Sequence, residues 1–142
     1  MKEQAPLSAR VFAFVIDSLV LLLLTAALFF MAAAFSFLYA SQVFVAAMLS
    51  GFLVFLLAPF FALAYTVFLH AWNGQTIGKL VMGIRVVAVD SDSLTIGKSF
   101  LRAVGVLVSF LSAGVGFLWA LIGTEPVTWH DTIAGTRVVV AG

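Results

Sequence analysis

A chain of 142 residues that is 64% hydrophobic and only 9% charged, with a mean hydropathy of +1.23, departs from soluble domains, where roughly a quarter of residues are charged. It reads as an integral membrane protein. The net charge of +1 offers no basic surface for nucleic acid, and the absence of cysteine excludes disulfides, thiolate metal sites and cysteine nucleophiles.

Lys2 and Arg10 precede an apolar stretch that passes through Ala32, Ala33 and Ala34, the outline of a cleavable signal. The run from Leu19 to Leu38 is longer than the usual ~7–15-residue signal core, and Asp17 is misplaced for one, so a permanent span is expected. Span 1 reads from about Ala9 to Ala40 and span 2 from about Val43 to Leu69, separated by the polar break at Ser41 and Gln42. At about 1.5 Å per residue both exceed the ~30 Å hydrocarbon core, so tilt or protrusion follows. Pro59 removes the helical partner of the Phe55 carbonyl and predicts a kink.

Asp17 lies inside span 1, seven residues after Arg10, and no further Asp, Glu, Lys or Arg occurs until Lys79. Seven residues are nearly two helical turns, so both side chains fall on one stripe. A bare carboxylate in hydrocarbon costs several kcal/mol, so Asp17 needs a cation, water or a proton and is a functional-site candidate.

From Asn73 to about residue 97 the pattern is interfacial, with a strand-like segment at Ile84 to Val89 and a turn at Asp90-Ser91-Asp92-Ser93 that lacks the glycine and distal glutamate of a calcium loop. The third hydrophobic stretch, about Phe100 to Gly123, either crosses once or turns back at Ser112-Ala113-Gly114-Val115-Gly116. The tail, 124–142, favours the re-entrant hairpin. Its Thr136-Arg137-Val138-Val139-Val140 echoes Arg85-Val86-Val87, and two short strands can pair only on the same membrane side. With a hairpin all of Lys2, Arg10, Lys79, Arg85, Lys98, Arg102 and Arg137 face the cytoplasm. The expected fold is therefore an all-α membrane domain spanning 1–142, with two long transmembrane helices, a third hydrophobic segment and a small two-stranded cytoplasmic β element.

Thr128-Trp129-His130-Asp131 fits a variant capping box, with Thr128 as N-cap and Gly135 closing the short helix. Asp131 and His130 read equally as polar groups lining a membrane-interface site with Asp17. The two histidines and the acids have no metal-ligand spacing, no serine sits in a nucleophile motif, and Gly74-Gln75-Thr76-Ile77-Gly78-Lys79 lacks the Ser or Thr of a phosphate loop. That last segment is expected to be a turn placing Lys79 at the membrane surface. An arginine partner is expected for Asp17: Arg10, or across the interface Arg102 or Arg137.

Together these residues resemble the RDD family of bacterial membrane proteins, named for one arginine and two aspartates. Arg10, Asp17 and the Asp131 of His130-Asp131-Thr132-Ile133-Ala134-Gly135-Thr136-Arg137-Val138-Val139 match the three letters. The resemblance continues through Gly74 to Lys79, Gly83-Ile84-Arg85-Val86-Val87 and the Leu94 to Arg102 segment. The chain departs from the pattern at His70, where many relatives carry an acid. The resemblance implies a multi-pass protein of the bacterial cytoplasmic (inner) membrane, and a cation/proton transport role has been proposed for some members. The residues independently suggest a cation or proton site of Arg10, Asp17 and Asp131, supported by His130, Arg102, Arg137, Gln75 and Lys79. The alternative is a structural or accessory membrane module whose Arg/Asp pairs lock helix packing. Neither enzymatic activity nor a cofactor or bound metal is expected. The expected partners are the lipid bilayer, further copies of the chain, and a monovalent cation or proton.

Overall fold

The computed structural model of the chain describes residues 3–39, 42–90, 94–112 and 127–141. The elements in order are α1 (Leu7–Tyr39), α2 (Val43–Asn73), α3 (Ile77–Val81), β1 (Ile84–Ala88), α4 (Ile96–Leu111), α5 (Trp129–Ala134) and β2 (Thr136–Val140). The reversal expected at residues 113–116 lies outside the described residues.

The 33 residues of α1 and 31 of α2 make both helices long and apolar enough to cross a membrane. At 1.5 Å per residue each exceeds about 45 Å. Among the described residues the apolar side chains of both helices are largely exposed, Phe44 at 76% and Phe55 at 75%, which is a lipid-facing pattern rather than that of a soluble core. Span 2 runs four residues beyond Leu69, to Asn73, and stays helical through Pro59.

The chain divides into two compact units, residues 18–64 and the combination of 1–17 with 65–142. Within the first, the Ser36 and Ser50 hydroxyls share a 2.8 Å hydrogen bond, and Ser50 also donates to the Ala46 carbonyl at 2.8 Å. Such bonds join helices where no water competes.

The second unit is built on the expected sheet. β1 and β2 are antiparallel, with Ile84 opposite Val140, Val86 opposite Val138 and Ala88 opposite Thr136. A β-bridge from the N-terminal residues to β2 was not foreseen. Gln4 bridges Val139, the Ala5 N–H donates to the Val138 carbonyl and the Val140 N–H to that of Glu3, both at 3.0 Å. One sheet face, carrying Ile84, Val86, Ala88 and Val138, packs with Ala5, Ala9 and Ala13 as the core. Ala9 and Ala13 are four apart on one stripe of α1, and their small side chains let backbone approach backbone.

α5 carries the expected cap. Thr128 is extended (φ −92°, ψ 162°), its N–H donates to Asp131 Oδ2 at 3.5 Å, and Gly135 ends the helix in the left-handed region at φ 59°. α4 is amphipathic in the inverse sense. It buries Ser99, Arg102, Ala103 and Ser109 and turns Phe100, Leu101, Leu107 and Leu111 outward. Its 16 residues extend only about 24 Å, less than the hydrocarbon thickness.

Candidate functional site

Two carboxylates anchor the second unit, each with its own set of donors. Asp131, 1% exposed, is held by two arginines. Arg102 Nη1 donates to its Oδ1, and Arg10 Nη1 donates to Oδ2 at 3.3 Å. The Thr128 hydroxyl adds a 2.9 Å bond to Oδ2. Both arginines are held in turn by other acceptors: Arg102 Nη1 reaches the Thr136 hydroxyl at 2.9 Å, while Arg10 donates from Nε to the Ala5 carbonyl and from Nη2 to that of Val138, each at 3.2 Å. Arg10 thus ties α1 to both the sheet and α5. Burial alone would raise the Asp131 carboxyl, but the positive field, led by Arg102, outweighs it and holds the group at about 2. His130, whose Nε2 is 2.9 Å from the Thr128 hydroxyl, is pushed down to about 3 by burial and by Arg102, so its ring is neutral at physiological pH.

Asp17, 9% exposed, is held differently. Oδ1 accepts the Tyr65 hydroxyl and the Gly78 N–H, both at 2.8 Å, and Oδ2 accepts the Thr76 hydroxyl at 2.5 Å. These donors come from the last turns of α2 and the first turn of α3. The Tyr65 oxygen accepts the Ile77 N–H at 3.1 Å, so Asp17 and Tyr65 between them cap two free amides of α3. Only glycine fits at position 78, because a Cβ there would lie 2.0 Å from the Ala13 carbonyl oxygen. The expectation of an arginine on Asp17 is therefore corrected. Arg10 shares its helical stripe, but side chains lean toward the helix N-terminus, which carries the guanidinium away from Asp17 and onto Asp131.

Lys79 lies in the field of both carboxylates and of the two arginines. Its Nζ donates to the Thr76 hydroxyl at 3.3 Å, and the charges acting on it include Arg102, Asp17, Asp131 and Arg10. Burial, then Arg102, lowers the ammonium from 10.5 to about 8. His70, 2% exposed near the end of α2, interacts electrostatically with Lys79, Arg102 and His130.

The structure thus brings Arg10, Arg102, His130 and Asp131 into one cluster and Asp17 and Lys79 into its neighbour. It leaves Gln75 and Arg137 outside both. Gln75 Nε2 donates to the Ile84 carbonyl at 3.0 Å, and Arg137 stands on β2 opposite Val87. Tyr65, Thr76 and Thr136 were not foreseen as neighbours of the charged groups, whereas Thr128 was expected beside Asp131 through the capping box. The signal available for Tyr65 was its place among Thr66 and His70 as the polar residues near the end of an otherwise apolar span.

Two span-length apolar helices, with a buried Arg–Asp–Arg cluster where the first of them begins, point to a membrane protein. Residues 4–135 match the model of the RDD family, and the chain belongs to that family. A Bacillus subtilis (strain 168) protein named "Uncharacterized protein YckC" is 39% identical over 75 residues, covering 49% of this chain and 50% of that protein. The chain therefore matches about half the length of this curated relative. No solved structure matches it.

Proposed function

We propose that this RDD protein is a multi-pass protein of the bacterial cytoplasmic membrane that exchanges monovalent cations for protons, with Asp17 as the proton-exchanging carboxylate. One observation carries the reading: Asp17 sits in an apolar span and its described partners are three neutral donors rather than an arginine. An arginine would bring a fixed positive charge to the carboxylate, whereas hydroxyl and amide donors satisfy its oxygens without one and leave the place of the counter-charge to an ion from outside. The Arg10–Asp131–Arg102 cluster is then the frame that holds the site. Pairing of β2 with β1 supports a chain that returns to its starting side between residues 89 and 135, hence a re-entrant third segment and cytoplasmic termini. Two spans and a hairpin are too few to enclose a pathway, so the transporting unit is an oligomer.

A second reading, a non-transporting structural or accessory module, draws on the saturation of Asp131 by two arginines and Thr128. Flux separates the two. In proteoliposomes carrying a pH-sensitive dye, Na⁺, K⁺ or Li⁺ should drive proton movement in the parent protein and none in a folded, inserted Asp17→Asn protein. No flux above that of empty liposomes in the parent would leave only the structural module, and equal flux from both proteins would remove Asp17 from the exchange.

A further inference from the structure

We propose that Lys79 supplies the proton that Asp17 takes up, passing it through the hydroxyl of Thr76. The geometry is a two-bond wire with one direction. Lys79 Nζ donates to Thr76 Oγ1 at 3.3 Å, and the same oxygen donates its own hydrogen to Asp17 Oδ2 at 2.5 Å. A hydroxyl has one hydrogen to give and lone pairs to receive with, so Thr76 can hold both bonds at once.

The transfer balances without any other reactant. A Lys79 N–H bond breaks as its proton bonds to Thr76 Oγ1, and the former Thr76 hydroxyl proton bonds to Asp17 Oδ2. An ammonium and a carboxylate become an amine and a carboxylic acid, and the threonine is restored. The wire also explains how Asp17 is reached. Thr76 is 2% exposed and Asp17 9%, whereas Lys79, although largely buried, is the least covered of the three.

The surroundings suit an amine that gives up its proton. Among the described residues no carboxylate lies at ion-pair distance from the ammonium, whose one side-chain acceptor is the neutral Thr76 oxygen. The groups that act on it from the packed elements are Asp17 and Arg10 on α1, His70 on α2, Arg102 on α4, and Asp131 and His130 on α5. The two arginines and burial favour the neutral amine, against the two aspartates, and place its titration at about 8.

This inference rests on the proton-coupled reading of Asp17, so the test includes a measurement that needs no transport. Protein with ¹³C-labelled lysine, in nanodiscs, reports Lys79 through its Cε shift, with Lys2→Arg and Lys98→Arg used to assign it. The infrared carbonyl band lost in Asp17→Asn reports the acid form of Asp17. In the parent and Thr76→Ser proteins, Lys79 should titrate near pH 8, and the Asp17 band, present below that midpoint while the pair shares one proton, should disappear along with it. In Thr76→Val the two should uncouple, with proton flux at least tenfold lower, and Thr76→Ser should retain it. Should Thr76→Val not fold, Lys79→Gln serves instead: the infrared band should be lost and flux should fall by the same factor. A Lys79 midpoint above 10, or unchanged flux and pH profile in Thr76→Val or Lys79→Gln, overturns the proposal. Coupled titration of the pair in a parent protein that carries no flux would uphold the wire and overturn the transport reading alone.

Discussion

Asp131 is the residue whose loss the fold should tolerate least. Asp131→Asn keeps the shape of the side chain but leaves two buried guanidiniums facing each other without an anion. Removing one partner of a buried pair costs on the order of 3–5 kcal/mol. We expect a sharply lower thermal midpoint in detergent, with Asp131→Glu falling between the two. A midpoint unchanged in Asp131→Asn would mean that the cluster does not support the fold. Acid should act on the same place. The unfolded chain binds a proton on His130 near 6.5 and on Asp131 near 3.8, whereas the folded chain does so only at about 3 and about 2. Between those values the unfolded state holds more protons, so stability is full above pH 6.5 and is lost as pH falls toward 3, with the Asp131 share going last. A pH series of thermal midpoints checks this, and His130→Gln should flatten the part of the curve between pH 6.5 and 4. The sequence made Arg10 and Asp131 visible as charges in unusual places but not as partners, because 121 positions separate them. Tyr65 and Thr76 left still less trace, since a neutral hydroxyl near a span end carries no charge pattern to read.

Among the elements, α3 is only five residues long and depends on Asp17 and Tyr65 for its start. Gly78→Ala tests that dependence. The added methyl would meet the Ala13 carbonyl oxygen at 2.0 Å, so α3 must move off α1 and the Asp17–Gly78 bond must lengthen. Overpacking of this kind costs about 1–3 kcal/mol or more. The thermal midpoint should fall, and a proton-exchange assay of the Gly78 amide region should show lost protection. Preserved stability and protection would mean that the two helices are further apart than described. Gly135→Ala should cost about 1–2 kcal/mol, from the left-handed backbone alone. The cap of α5 and the β1–β2 pairing were legible because they are local patterns: a Thr–x–x–Asp spacing, a terminal glycine and a repeated Arg-Val-Val. α3 was read as a bare turn because its helical start is stabilised from another part of the chain.

At the scale of the molecule, the second unit joins the first residues to the last ones. The bridge between Gln4 and Val139 places two positions of a cysteine-free chain within disulfide reach. A Gln4→Cys, Val139→Cys protein should therefore oxidise to a species of faster gel mobility that reverts on reduction. Failure of the bond to form under mild oxidant would argue against the Gln4–Val139 bridge. The inverse amphipathicity of α4 belongs to this scale as well: its buried stripe brings Arg102 onto Asp131 while its large apolar residues face outward, which the hydropathy of the segment could not distinguish from a crossing helix.

The separation of Arg10 from Asp131 also has a meaning in time. Arg10 is made 121 residues before the carboxylate that neutralises it. At a synthesis rate of roughly 5–20 residues per second, it waits on the order of 6–24 seconds without that partner. During that interval the first span has to enter the bilayer without the Asp131 carboxylate on the guanidinium of its leading turn, held at the headgroup level by its own long stem. Neither α1 nor the β1 edge can reach its final state until the last strand arrives. The charge cluster therefore closes the fold as a late step of synthesis, and a nascent chain stopped before Asp131 carries an anchored span with its arginine still open to lipid phosphates.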